Sequence, residues 1–497
     1  MHAFLTPFKE PAAQLLRRKP LLTIRFHLAG RQPYLRCFRS AAMAKSGHAG
    51  PGSVLVYSHS WLPGQVDGVA IRMMAHVRAM VKRGVKVTLV TPDFLLPDNP
   101  TVPKLEVVDG VEHVTLQTAR TPVYRKNMCM DLSFFNLRTL VALIQRVQPD
   151  LVHATQEASM QVMAAACAFC NVPLLISLHT DVAQIAARDE NFSSLNGFLG
   201  QLHTWFSVRM VYWGYRNWAL SGATYFPVSK QSLVILRNAG VAEQRVAPVI
   251  WGPMVDRETF RIDLPEEQVQ AVRKRLTFGA ERAYLWVYVG RVTAEKDIQF
   301  LVDAHKRAPK HVYLALIGPG SMVPELKQFH GPEHRLHPQP DWPVLCVISM
   351  YCTGDMASRE EVALCFRAAD LHVSASTMET VGFTAMEALS CGTPMLAANA
   401  QGYAMYLSHG VNARLFTPGS SSSFDEELAK IMETKREGDW SPESIRATMA
   451  MASIDACTDR AFQAYLTSPA TDWRVVRLLI TMFYVVLNIF FVQTFFP

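Results

Sequence analysis

The chain has 497 residues, 49% of them hydrophobic and 18% charged, with a formal net charge of +7 at pH 7. Nine of its 49 Lys and Arg residues but one of its 42 acidic residues fall in the first 50 positions, leaving 40 and 41 in the body. The length allows two or three domains with sizeable cores, and the even charge of the body excludes bulk binding of a polyanion such as nucleic acid. The nine cysteines show no paired spacing. Cys167 and Cys170 lie in the apolar helical run "AACAFCNVP" with no second pair to complete a zinc site, and nothing suggests a secreted disulfide scaffold.

In chain order, the Arg-rich, acid-poor residues 1–50 have the composition of an organelle transit peptide. A disordered basic extension, or a true start at Met43, fits the same composition. Residues 51–250 then alternate strand and helix. Strand-like runs are 53–60, 85–91, 150–155, 172–180 and 223–229, and the amphipathic run 69–84 is closed by Gly84 as a C-cap. Strands separated by helices imply a parallel sheet. After the first strand, "WLPGQVDGVA" places Gly64 and Gly68 in a loop before a helix. The run 198–220, "FLGQLHTWFSVRMVYWGYRNWAL", carries Trp205, Phe206, Trp213, Tyr215 and Trp218 with Arg209 and Arg216. That mixture suits either an interfacial helix at a membrane or first-domain core.

A Pro-containing linker is expected over 251–282, and the pattern restarts at 283. Strands are read in "YLWVYVG", "VYLALIGPG", "DLHVSAS" and "TPMLAAN", with helices near 296–308, 358–368 and 381–391. The fold class is therefore α/β, with two doubly wound Rossmann-like domains facing each other across a cleft, 51–250 and 283–440, followed by closing helices over 441–473. In such sheets ligands sit at the carboxyl ends of the strands. "VGRVTAEKD" puts Gly290, Arg291 and Lys296 at one such end, where two cations could clamp a diphosphate; surface cations are the plain alternative. "METVGFTAMEALSCGTP" puts Gly382 and Phe383 at another, where free helix amides could hold a phosphate. It also carries Glu379 and Glu387, and a glutamate at 387 would be buried among apolar neighbours, which is costly unless it is bonded. "IGPGSM" lacks the third glycine of a dinucleotide fingerprint. With no Asp-x-Asp, the chain offers no ligands for a metal-dependent sugar-nucleotide site. Leu478 to Pro497 has no charge in 20 residues, about enough helix to cross a hydrocarbon core, with Arg474 and Arg477 just before it. The segment 474–497 is expected to be a transmembrane tail.

"VGRVTAEKD", the Glu-x7-Glu spacing of 379 and 387, and "HGVNARLFTPG" together strongly resemble the second domain of retaining glycosyltransferases of family 4, with the GT-B fold. The resemblance covers roughly residues 53–435. It implies that Arg291 and Lys296 bind the diphosphate of a nucleotide-sugar, that Glu387 bonds the ribose hydroxyls, and that Glu379 faces the donor sugar near its reactive carbon. "TPVYRKNMCMDLSFFN" and "PDLVHATQEASMQVMAAACAFCNVPLLISLHTDV" look like the plant and cyanobacterial sulfoquinovosyltransferases and the related bacterial lipid mannosyltransferases. This likeness places His179 at the family's first-domain active-site histidine and nominates Arg125 and Lys126 as partners for a sulfonate. Asp181 stands where the sulfolipid pattern has a second histidine, and residues 337–351 have no place in the family pattern. The resemblance implies transfer of a hexosyl group, sulfoquinovose first, from a UDP-sugar to diacylglycerol with retention and with no cofactor or metal. It also implies a membrane setting, plastid if the transit reading holds. A mannosyl- or glucosyltransferase with another lipid or soluble acceptor is the near alternative, and a non-catalytic membrane scaffold binding a sugar nucleotide the distant one.

Overall fold

A computed structural model describes residues 50–62, 68–93, 107–116, 119–120, 129–130, 135–155, 160–179, 198–329, 345–348, 358–377, 379, 381–437, 440–468, 479 and 482. In the first half, the strands are Ser53–Tyr57 (β1), Lys86–Pro92 (β2), Glu112–Leu116 (β3), Leu151–Thr155 (β6), Leu174–Leu178 (β7) and Thr224–Pro227 (β8), with a short antiparallel pair, Ala119–Arg120 (β4) and Cys129–Met130 (β5), set apart. The six main strands form one sheet in the order β3-β2-β1-β6-β7-β8, and every pairing in it is parallel. Parallel neighbours require crossovers, here the helices Gly68–Lys82 (α1), Phe135–Val147 (α2), Met160–Cys170 (α3) and Phe198–Leu220 (α4). Lys230–Asn238 (α5) follows β8. Strands β6, β7 and β8 are buried at every position, which is why they read as mostly apolar runs without a regular alternation.

The second half repeats the plan. Its strands are Tyr284–Val289 (β9), Val312–Ile317 (β10), Leu345–Ile348 (β11), Leu371–Ser374 (β12), Met395–Ala398 (β13) and Ala413–Phe416 (β14), in the order β11-β10-β9-β12-β13-β14, again all parallel. Its helices are Glu266–Leu276 (α6), Ile298–Arg307 (α7), Val323–Phe329 (α8), Arg359–Ala368 (α9), Phe383–Ser390 (α10) and Ser421–Glu437 (α11). Two doubly wound parallel sheets in one chain are the GT-B arrangement. The segment expected as linker carries α6, whose Arg273 bonds the carbonyl oxygens of Ala368 and Ala283 at 2.6 Å and pairs with Asp370 at 2.7 Å. Of the stretch 337–351, which has no place in the family pattern, the described residues Leu345–Ile348 form the edge strand β11.

Two further helices follow, Pro442–Ala447 (α12) and Ile454–Leu466 (α13). α13 returns to the first half. Arg83 of the segment after α1 pairs with Asp455 at 2.9 Å and Asp459 at 2.5 Å. The Tyr465 hydroxyl lies 2.6 Å from His76 Nε2 and 2.7 Å from His153 Nδ1. Burial holds both imidazoles below their usual range, His153 at about 3, so both are neutral. One then donates to the phenol oxygen while the other accepts from the hydroxyl.

Packing distinguishes the residues of the aromatic run of α4. Tyr215 and Trp218 are buried and Trp213 packs against the same core as β6 and β7. Trp205 is exposed, with the Arg209 guanidinium 5.5 Å from its ring. In its last two turns Tyr215, Trp218 and Ala219 are buried while Arg216 and Leu220 are exposed, so one face of the helix covers the first sheet. Among the described residues no helix is long and apolar enough to cross a membrane. The expected tail, 474–497, lies outside them except for Leu479 and Met482.

Candidate functional site

The loops at the carboxyl ends of β9 and β10 are bonded to each other. Gly290 N donates to Ile317 O at 2.9 Å and Val292 N to Pro319 O at 2.7 Å. A Cβ on Gly318 or Gly320 would run into the backbone of Gly290 or Val292. The glycines of "IGPGSM" thus serve close packing that supports the Arg291 loop. The Tyr288 hydroxyl adds a bond to Arg291 O at 2.9 Å.

This loop carries both candidate cations. Arg291 is half exposed and pairs with Glu295. Lys296 ends a 3₁₀ turn, Ala294–Lys296, and Asp297 at φ 51° redirects the chain into α7. The Lys296 ammonium donates to Glu379 Oε1 at 2.5 Å, with side chains only 14% and 20% exposed. Two candidates 83 positions apart therefore meet, one after β9 and one after β12.

Gly382 opens α10 at φ 73°, ψ 68°, the left-handed region that penalises other residues. A Cβ there would lie 2.8 Å from the Tyr406 hydroxyl, which itself sits 2.6 Å and 2.8 Å from the carbonyl oxygens of Val381 and Gly382. Gly382 makes no side-chain cap for α10, and the first-turn amides of a helix lack intrahelical partners, the usual seat for an anion.

One turn further, Glu387 is buried, and Arg359 Nη2 lies 3.4 Å from its Oε1. Burial pushes its carboxyl up to about 7; Arg359 draws it back down and Asp256 adds to the rise. A raised value means that the protonated form stabilises the free fold. That contribution is complete below the ordinary 4.5 and is lost as pH rises through about 7. A ligand whose hydroxyls donate to the carboxylate favours the opposite form. UDP affinity is therefore expected to fall up to about tenfold per unit as pH drops below 7, after correction for the nucleotide's own titration. Calorimetry should find this slope gone in Glu387→Gln, with UDP bound about 10–100-fold more weakly at pH 8 through loss of a charge-assisted bond. An unchanged slope and affinity would remove Glu387 from the site.

In the first half, His179 follows β7 and is buried, with Nε2 2.8 Å from Ser177 Oγ. Ser177 in turn donates to Ala154 O at 3.4 Å, which makes Nε2–H the donor to Ser177 and leaves Nδ1 as an acceptor. Burial, helped by the nearby charge of Arg72, holds the imidazole well below its usual range, so it is neutral. Trp251 flanks it, ring centres 5.6 Å apart. The two halves touch where the Phe383 ring lies against Gly68: a Cβ on that glycine would meet it at 2.6 Å. Gly64, Arg125, Lys126 and Asp181 lie outside the described residues.

Sequence reasoning missed Arg359, Tyr403, Tyr406 and Arg72. Arg359 had a signal: a cation in the first turn of a helix opposes the helix dipole. Arg72 had one too, as a charge followed four residues later by His76 among Met73, Met74, Val77 and Met80. The tyrosines carried none. Tyr403 reaches the site through a bond to Ser374 at 3.0 Å.

Comparison with known proteins follows the same division into halves. A family model described as Glycosyltransferase Family 4 matches residues 66–256, and one described as Glycosyl transferases group 1 matches residues 283–434. The sulfoquinovosyl transferase SQD2 of Arabidopsis thaliana is 25% identical over 375 residues, 74% of this chain and 64% of that protein; the chain thus spans just under two thirds of that relative. An alpha-monoglucosyldiacylglycerol synthase of Streptococcus pneumoniae is 32% identical over 141 residues, 28% of this chain and 29% of that one. Among solved structures, Anabaena Alr3699/HepE in complex with UDP shares the fold with a TM-score of 0.58 at 16% identity, over 82% of this chain and 98% of that one.

Proposed function

Because the chain belongs to the glycosyltransferases of group 1 and family 4, we propose that it moves a hexosyl group from a UDP-sugar to a diacylglycerol-type lipid with net retention. The observation that carries this reading is the Lys296–Glu379 pair beside the open amides of α10, with buried Glu387 one turn on. A donor diphosphate would take over the Lys296 ammonium and the α10 amides, with Arg291 at the rim. Preorganised positive groups at the leaving diphosphate act where charge develops in the transition state. Glu379, released from Lys296, would accept from a hydroxyl of the sugar. Glu387 would accept from the ribose. His179 would hold a sugar hydroxyl through Nδ1 from the first half. Closing the two halves excludes water, which would otherwise hydrolyse the donor.

Sulfoquinovose is the sugar we favour, on the likeness to the Arabidopsis enzyme over both halves. A neutral hexose is the second reading, supported by the likeness to the diacylglycerol glucosyl enzyme and by the carboxylate of Asp181, which would repel a sulfonate. Competition between UDP-sulfoquinovose and UDP-glucose for transfer to diacylglycerol decides between them. Preference for the sulfonated donor, abolished by Arg125→Ala/Lys126→Ala, is the expected outcome; preference for glucose refutes the sulfolipid reading and leaves the neutral one.

A lipid acceptor calls for attachment to a membrane, and we assign that role to residues 474–497, with a plastid setting if residues 1–50 act as a transit peptide. Deleting 474–497 should release the protein from the membrane fraction while UDP binding persists, since the candidate site is built before residue 437. Retention of the truncated protein on membranes would refute the anchor.

A further inference from the structure

Arg72 lies in the second turn of α1 and is 1% exposed. Its Cζ stands 5.1 Å from the centre of the Trp251 ring and 5.3 Å from that of Phe383, so the guanidinium rests between the two halves of the molecule. Nη2 donates to Gly252 O at 2.9 Å. Nε and Nη1 are buried and have no partner, and Arg72 forms no ion pair among the described residues. Aromatic faces offset part of the desolvation of a cation, but they do not fill its N–H groups. A buried charge lacking both counter-ion and full hydrogen bonding is strongly destabilising. Arg291 and Lys296 differ in this respect, since Glu295 and Glu379 already neutralise them.

The position narrows what could complete Arg72. Phe383 is the first residue of α10, whose free amides are the seat for a phosphate. Its ring seals Arg72 and rests on Gly68. Resting on the donor reading above, we propose that Arg72 is a third cation for the diphosphate of the nucleotide donor, engaging a phosphate oxygen through Nε and Nη1 from the first half as Phe383 moves off Gly68. Domain opening uncovers the charge, and the arriving anion supplies a counter-ion that none of the described residues provides. The same arginine thereby couples occupancy of the donor site to the contact between the halves.

The test compares full-length wild type, Arg72→Met and Arg72→Lys by calorimetry with UDP and with uridine, and by thermal unfolding without ligand. Arg72→Met should unfold at the wild-type temperature or above it, because it removes an uncompensated charge. It should bind UDP about 10–100-fold more weakly, with uridine binding close to wild type, and Arg72→Lys should recover part of the loss. A purely structural arginine gives the opposite pattern, a lower unfolding temperature with equal losses for UDP and uridine, and that result overturns the assignment. Wild-type UDP affinity in folded Arg72→Met overturns it as well. A wild-type chain that binds no UDP refutes the donor reading itself, and the assignment with it.

Discussion

Replacing Lys296 by alanine is expected to lower sugar transfer by about 10²-fold or more while the fold persists, because a preorganised cation facing a leaving diphosphate is typically worth several kcal/mol. The side chain is 14% exposed and its partner within the described residues is Glu379, so it does not pin the core. The loss should fall mainly on kcat, since the charge it meets grows in the transition state. Glu379→Gln should also impair transfer, through the sugar rather than the diphosphate, and so should leave UDP affinity nearer wild type than Lys296→Ala does. Circular dichroism controls for folding. A folded Lys296→Ala with wild-type turnover would remove the lysine from the reaction.

Gly382→Ala is the second large effect. The residue sits at φ 73°, where an L side chain costs about 1–2 kcal/mol. Its Cβ would also press on Tyr403 and on the Tyr406 hydroxyl that holds the turn, an overpacking cost of about 1–3 kcal/mol. Neither tyrosine can retreat freely, since Tyr403 and Tyr406 are buried and bonded. The start of α10 must shift instead, and misplacement by about 1 Å at such a site can cost 10²-fold. Chemical denaturation should show a loss of about 2–5 kcal/mol, with UDP affinity falling in the protein that remains folded. Wild-type stability together with wild-type UDP binding would contradict both the strain and the anion seat.

The architecture was legible where local signals agree with tertiary ones. Buried parallel strands leave mostly apolar runs, as at Leu174–Leu178, and Gly290 and Gly318 mark the carboxyl ends of β9 and β10. The burial of Glu387 was legible as well, from its apolar neighbours in α10. What long-range contact decides was not legible. The Lys296–Glu379 pair joins loops that local sequence treats as separate, and Arg359 meets Glu387 only once α9 and α10 pack together. The glycines of "IGPGSM" were set aside for lacking a fingerprint, whereas their work is to let one loop lie on another. The aromatic content of α4 suited an interface and a core equally, and only packing against the first sheet separated Tyr215 and Trp218 from Trp205.

The most direct measurement is transfer itself: full-length protein in lipid with diacylglycerol and, separately, UDP-sulfoquinovose, UDP-glucose and GDP-mannose, with lipid products read by mass spectrometry. The site described here predicts a hexosyl diacylglycerol formed from a UDP-sugar, with release of UDP, and its loss in Lys296→Ala. Formation of product from GDP-mannose alone, or no glycolipid from any donor by a protein that binds UDP, would contradict it.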